Sequence, residues 1–258
     1  MRESTVVIAV VRPDVLGTYG DGGNAMVLQQ RLERRGIPAE LLFIGVGEVV
    51  PSQCDICVLG GGEDGAQTAL AEQLDLGASL RRASERGVAM LAVCAAFQVL
   101  GHSFVTGDGA RRAGFGVLDC WTNARLPARA VGEIAVSAHI GERQVGLLTG
   151  FENHGGATTL GPNARPLGTV LSGVGNGDGA ATEGAIQGSI IGTYLHGPVL
   201  ARNPALADAL LEMVVGPLPQ LAVPGVESLR AQRLRAVLTR RPAGRRRFSW
   251  SSGTNPSP

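Results

Sequence analysis

Lysine is absent from this 258-residue sequence, and all 23 of its basic residues are arginine. A coding bias accounts for that most simply, so no function is read from it. Cysteine contributes only four residues, Cys54, Cys57, Cys94 and Cys120, too few for a disulfide framework at this length. No run of ~18 apolar residues occurs, so a membrane-spanning helix is not expected. The opening MRESTVVIAVV has charges and a short apolar run without a small-residue cleavage site after it, and reads as a buried strand rather than a leader. A cytoplasmic location is the expectation. Aromatics are scarce at 4%, whereas hydrophobic residues reach 44%, which excludes a wholly disordered chain. The 38 glycines and 14 prolines follow no repeat and imply many tight turns. Charge is nearly balanced at +1, but residues 217–258 carry eight arginines against Glu227, which leaves residues 1–216 at −6. An acidic body of that kind is no nucleic-acid binder.

Val6–Val11 is a β-branched apolar run of the kind buried on both faces in a parallel sheet. Further strands are expected at Leu41–Ile44, Ile56–Leu59 and Val88–Val93, with helices over Ala25–Arg35 and Thr68–Arg86 that Gly36 and Gly87 end. This alternation predicts an α/β fold: an open, mostly parallel sheet with helices on both faces and a flavodoxin-like core. From about Gly114 the pattern changes to short β-like runs (Val131–Val136, Val145–Leu148, Ser189–Leu195) between Gly, Asn and Asp turns. A closing helix is expected over Asn203–Val215. Residues 1–216 are read as one domain, and 217–258 as a Pro/Arg-rich tail, helical over Val226–Leu238 and disordered beyond.

The chemistry concentrates in VAMLAVCAAFQ, Val88 to Gln98. A buried strand, a Cys and an immediate helix make a nucleophile elbow, for which the small residues Ala92 and Ala96 leave room. The helix N-terminus favours the anionic form of Cys94, and the Ala95 N–H is placed to donate to an oxyanion. Cysteines also simply pack, so a base is needed. His196 follows a strand-like run, and its position on the sheet's carboxyl rim makes it the preferred base. His154 in ENHGG is the competitor, while His102 and His139 are placed away from Cys94. The GGGED turn, Gly60 to Asp64, brings backbone N–H groups close to a ligand, so Gly61 and Gly62 complete the expected oxyanion hole.

Four segments, YGDGGN (Tyr19 to Asn24), LGGGED (Leu59 to Asp64), AVCAAFQ (Ala92 to Gln98) and GTYLHGP (Gly192 to Pro198) with ARNP after it, resemble the class I (triad) glutamine amidotransferases of the cobyric-acid-synthase-like branch. The first and last of them look most like the GatD-type glutaminase subunits of lipid II isoglutaminyl synthases. The resemblance covers roughly residues 5–216. It implies hydrolysis of L-glutamine by Cys94 and His196, Gln98 facing the bound glutamine, and an arginine gripping the substrate carboxylate. Arg129 is the preferred candidate for that grip and Arg125 the alternative, since either guanidinium fork suits a carboxylate. It also implies a heterodimer with a Mur-ligase-like (MurT-type) synthetase that holds ATP and magnesium, this chain carrying no cofactor, and amidation of the D-glutamate α-carboxyl of lipid II. The rival functions are a glutaminase for another acceptor such as a corrinoid carboxylate, a non-catalytic glutamine-binding regulator, and a Cys–His hydrolase of another small substrate.

Two departures stand out. The usual Gly-x-Cys-x-Gly elbow has alanine at both glycines, and the Glu two residues after the histidine is Pro198. The acid that orients the imidazole is therefore expected elsewhere in the chain or on the partner. Asp21 and Asn24 are read as contacts to a ligand or partner, or as caps of the helix that follows. Cys54 and Cys57 have the spacing of half a zinc site and no second pair, so they are expected to be core thiols. GVGNGDG, Gly173 to Gly179, lacks the Lys-Ser/Thr of a P-loop and reads as a flexible loop. The basic tail is read as solubilising, with an acidic surface or anionic lipid headgroups as the alternative contact.

Overall fold

The computed structural model describes residues 4–17, 20–141 and 143–239. Strands β1 (Val6–Val11), β3 (Ile56–Leu59), β4 (Ala89–Val93) and β12 (Ile190–Thr193) are buried along their whole length, as apolar runs covered on both faces must be. With β2 (Ala39–Ile44) at one edge and β11 (Ala185–Gln187) at the other, they form a sheet of order β11-β12-β4-β3-β1-β2. Every pair in it is parallel except β11 with β12. The α/β class expected from the sequence is the one observed. After β1 the chain runs through α1 (Gly23–Glu33) to β2 on one side, whereas β3 lies on the other. Such a reversal of strand order opens a crevice at the carboxyl ends of the strands.

Helix α1 buries Leu28 and Leu32 completely, each contributing on the order of 2 kcal/mol. The single helix expected over 68–86 is two, α2 (Asp64–Ala71) and α3 (Leu74–Glu85). At the break Gln73 leaves helical geometry (φ −86°, ψ 75°), and its Oε1 accepts from Nε of buried Arg12 at 2.5 Å. A buried guanidinium needs acceptors, and the interruption supplies one.

A second sheet of order β10-β9-β7-β5-β6 joins β5 (Ser103–Val105), β6 (Arg111–Ala113), β7 (Cys120–Ile140), β9 (Gly168–Ser172) and β10 (Thr182–Glu183), with β8 (Arg143–Leu160) paired to β7. The short runs read from the sequence around 131–148 are pieces of this long hairpin. Register shifts between Trp121 and Ala124, Arg125 and Ala130, and Ala138 and His139 break the alternation that would have revealed it. The 173–179 loop is pinned rather than loose: Glu152 accepts from the Val174 and Gly175 N–H groups at 2.9 and 3.0 Å, and Asn176 Nδ2 donates to the Gly184 carbonyl at 2.9 Å.

Helices α5 (Val199–Arg202) and α6 (Pro204–Val215) follow β12. Asp208 on α6 pairs with Arg31 at 2.6 Å and Arg35 at 2.9 Å, which fastens α6 to α1. Helix α7 (Val226–Leu238) lies where the sequence pattern puts it. It is attached to the body, since Arg230 donates to the Leu147 carbonyl at 2.7 Å and Val237 is buried. The disorder expected beyond it falls on 240–258, outside the described residues.

Candidate active site

Four segments leave the carboxyl ends of the neighbouring parallel strands β1, β3, β4 and β12 and converge: the loop with Asp21, the Gly60–Gly62 turn, Cys94, and the turn with His196. Cys94 sits between β4 and α4 (Ala95–Leu100) at φ 52°, ψ −103°. A non-glycine residue there costs on the order of 1–3 kcal/mol and persists only where its surroundings over-determine it. They do: the Cys94 N–H donates to the Thr193 carbonyl at 2.8 Å, and its carbonyl accepts from Gln98 N–H at 3.1 Å. Ala92 and Ala96, in place of the usual glycines, are buried on either side of the turn.

His196 is 2% exposed, and its Nδ1 lies 3.0 Å from Oδ2 of Asp21, which is completely buried. The same carboxylate oxygen accepts the Gly61 N–H at 2.9 Å. Burial alone would lower the imidazole's pKa, but the hydrogen bonds to Asp21 and to the Cys94 side chain overturn that and raise it to about 9. Near neutral pH this favours the imidazolium, the form that gives a proton to a leaving nitrogen. With no glutamate two residues after the histidine, the acid that meets the imidazole is Asp21, from this chain. Its neighbour Asn24 does not cap its own helix. Its Oδ1 accepts from Leu200 N–H at 2.9 Å and ties the Asp21 loop to the segment that follows His196.

Gly61 corrects one expectation. Its N–H is committed to Asp21, and only Gly62 and Ala95 of the anticipated oxyanion donors line the cleft. What Gly61 provides is proximity, because a Cβ there would fall 2.7 Å from His196 Cε1 and 3.4 Å from Cys94 Cβ.

The cleft in front of Cys94 is lined by Gly62, Gln67, Gln98, Arg125, Arg129 and Asn153 among others. Gln98 is held at both ends: Oε1 accepts from Gln67 Nε2 at 2.5 Å, and Nε2 donates to the Tyr194 hydroxyl at 2.9 Å. Both candidate arginines reach the cleft from the shifted stretch of β7. Arg129 donates to Asn153 Oδ1 at 2.6 Å and to its carbonyl at 3.3 Å, and that carbonyl is 3.9 Å from Cys94 Sγ. Arg125 is turned to the Gly107 carbonyl. Placement one residue from the nucleophile favours Arg129 as the carboxylate grip. Arg129→Ala is expected to raise the KM for glutamine by about tenfold or more while kcat changes less, with Arg125→Ala affecting KM less. Steady-state glutamate release checks both.

His154 lines the same cleft but does not meet Asp21. Its Nδ1 contacts the Gly156 carbonyl at 3.0 Å, and the ring stacks on Tyr194 with centroids 3.7 Å apart. Burial lowers its pKa to about 4, which makes it a neutral wall group. His102 is held by Asp119 at 3.0 Å and stacks on Trp121, and His139 is exposed at the end of β7. The Cys54 and Cys57 sulfurs are 3.6 Å apart in the core, and no group of three or more metal-ligating side chains occurs among the described residues. Sequence reasoning missed Gln67, Asn153 and Tyr194 as parts of the site, because each is delivered by packing and none by spacing from Cys94.

A cysteine at a strained elbow, a histidine and a buried aspartate at the carboxyl rim of a parallel sheet define a triad hydrolase of the amidotransferase type. The family model for a CobB/CobQ-like glutamine amidotransferase domain matches residues 7–204, and the chain belongs to that family. It is 36% identical over 201 residues to the GatD subunit of the glutamine-hydrolysing lipid II isoglutaminyl synthase of Staphylococcus aureus (strain N315), covering 77% of this chain and 80% of that one. With the same subunit of Streptococcus pneumoniae it shares 32% identity over 206 residues, 79% and 78% of the two chains. The cobyric acid synthase of Sphingopyxis alaskensis is 31% identical over 183 residues, 68% of this chain but 35% of that one. Among solved structures, a glutamine amidotransferase superposes with a TM-score of 0.54 at 21% identity over 81% of this chain and 98% of that one. Another, from Thermotoga maritima, gives 0.51 at 14%, over 92% and 100%. These two show the shared fold.

Proposed function

We propose that this chain is the glutaminase subunit of a lipid II isoglutaminyl synthase, acting through a Cys94–His196–Asp21 triad. The observation that carries the hydrolytic part is the hydrogen bond from Asp21 to His196 at 3.0 Å, with His196 interacting in turn with the Cys94 side chain, all within one chain. Cys94 Sγ attacks the side-chain carboxamide carbon of L-glutamine. The Ala95 and Gly62 N–H groups take the charge on the tetrahedral oxygen. His196 passes its proton to the nitrogen, the C–N bond breaks, and ammonia leaves a thioester on Cys94. His196 then accepts a proton from water as it attacks that thioester, which releases glutamate and returns the Cys94 sulfur as the thiolate beside the re-formed imidazolium. Asp21 keeps the ring in the orientation and tautomer both steps require.

The acceptor is assigned from the relatives. The two GatD subunits are 36% and 32% identical over 77% and 79% of this chain, whereas the cobyric acid synthase is 31% identical over 68% of it. That favours the lipid II reading over the corrinoid one. In this reading ATP and magnesium belong to a Mur-ligase-like (MurT-type) partner in a heterodimer, which activates the D-glutamate α-carboxyl for attack by ammonia. The test is to co-express the chain with such a synthetase, purify the pair, and supply lipid II, ATP, magnesium and glutamine labelled with nitrogen-15 at its amide. Label in the lipid II product supports the assignment. Labelled ammonia with unmodified lipid II contradicts the acceptor and leaves the glutaminase standing.

A further inference from the structure

Glu183 is an acid with no exposure at all. It ends β10 in the second sheet, and Gly184 (φ 62°) then turns the chain into β11 of the first. A buried carboxyl is costly unless its oxygens are used, and here one oxygen has two donors. Oε1 accepts the Thr193 hydroxyl at 2.8 Å and the Tyr194 N–H at 2.8 Å. The Thr193 hydroxyl oxygen in turn accepts the Leu195 N–H at 3.1 Å, so three successive residues ahead of His196 are fastened to one side chain. Thr193 faces the nucleophile as well, because its carbonyl receives the Cys94 N–H at 2.8 Å. Tyr194 reaches the cleft wall through its hydroxyl, bonded to Gln98. Burial pushes the Glu183 carboxyl up to about 7 against the two hydrogen bonds it accepts, and it accepts at Oε1 with or without its proton.

We infer that Glu183 is a positioning residue for the glutaminase reaction: it clamps the Thr193–Leu195 turn and so sets the placement of both His196 and Cys94. It touches neither substrate nor reacting atoms and acts through Thr193. A misplacement of reacting groups of ~1 Å can cost on the order of a hundredfold in rate, so losing the clamp is expected to lower kcat more than it raises KM.

The test uses the full chain and three variants. Glu183→Gln keeps an acceptor at Oε1, Glu183→Leu removes it, and Thr193→Val removes the bridging hydroxyl at nearly constant volume. Each is measured for thermal unfolding, for kcat and KM of glutamate release, and for the pH profile of Cys94 alkylation by iodoacetamide, read at Cys94 by peptide mass spectrometry. In folded Glu183→Leu and Thr193→Val the kcat is expected to fall by about tenfold or more with KM within about threefold. The alkylation profile is expected to move in both, while Glu183→Gln keeps wild-type kcat and profile. Wild-type kcat and profile in a folded Leu or Val variant overturn the inference, and so does a Gln variant as impaired as the Leu one. If Glu183→Leu does not fold, Thr193→Val decides. The inference rests on the glutaminase reading, but alkylation needs no glutamine. A wild-type chain that alkylates at Cys94 and releases no glutamate sinks that reading, while the variants' alkylation profiles still decide the clamp.

Discussion

Cys94→Ala is expected to leave glutamate release on the order of 10⁴-fold or more below wild type, because no other group in the cleft can form the thioester. The remaining described cysteines are buried in the core, and none lines the cleft. The same position predicts a stability effect of a particular sign. The backbone there has φ 52°, where a side chain is strained and glycine is not. Cys94→Gly is therefore expected to unfold at a higher temperature than Cys94→Ala, by the equivalent of about 1 kcal/mol. Glutamate release and calorimetry on the two variants check both statements. Wild-type activity in Cys94→Ala contradicts the mechanism.

Asp21→Asn is expected to lower kcat by about 10²–10⁴-fold with a small change in KM, since the carboxylate orients the imidazole and contacts no substrate. The amide preserves shape and can still accept from one donor, but the negative charge that holds the imidazolium is gone. Burial then acts on His196 with less opposition, so the alkaline limb of the kcat profile, where the imidazolium is lost, is expected to shift down. Stability follows the same charge. The raised His196 pKa of about 9 stabilises the fold fully below the ordinary imidazole value of ~6.5 and no longer once pH has risen through about 9. The stability advantage of wild type over Asp21→Asn is therefore expected to be largest near pH 6 and to shrink toward pH 10. An advantage that grows toward alkaline pH contradicts the ion pair.

The central strands and the elbow were legible because their signals are local. Val6–Val11, Ile56–Leu59 and Val88–Val93 are continuous apolar runs, and Cys94 stands between one of them and a helix. His196 was legible by the same logic, as the residue that leaves a buried strand at the rim. The Asp21–His196 pair was not, because 175 residues separate them and only the adjacency of β1, β3, β4 and β12 brings them to 3.0 Å. In the sequence Asp21 is a lone acid in a glycine-rich loop, which fits a helix cap or a contact to a ligand or partner, and nothing local ties it to His196. The long β7–β8 hairpin was hidden for a different reason. Its register shifts at Arg125/Ala130 and elsewhere destroy the period-two pattern, and one of those irregular stretches carries Arg125 and Arg129 to the cleft. The break at Gln73 was invisible because its cause, the acceptor demand of Arg12, lies 61 residues away.

The assembly of Cys94, His196 and Asp21 into a site selective for glutamine is most directly tested by intact-mass and peptide analysis after incubation with a diazo-ketone analogue of glutamine. The account predicts one covalent adduct, on Cys94, slowed by excess L-glutamine and nearly abolished in Asp21→Asn. An adduct on another residue, or labelling of Cys94 that glutamine does not slow, would contradict it.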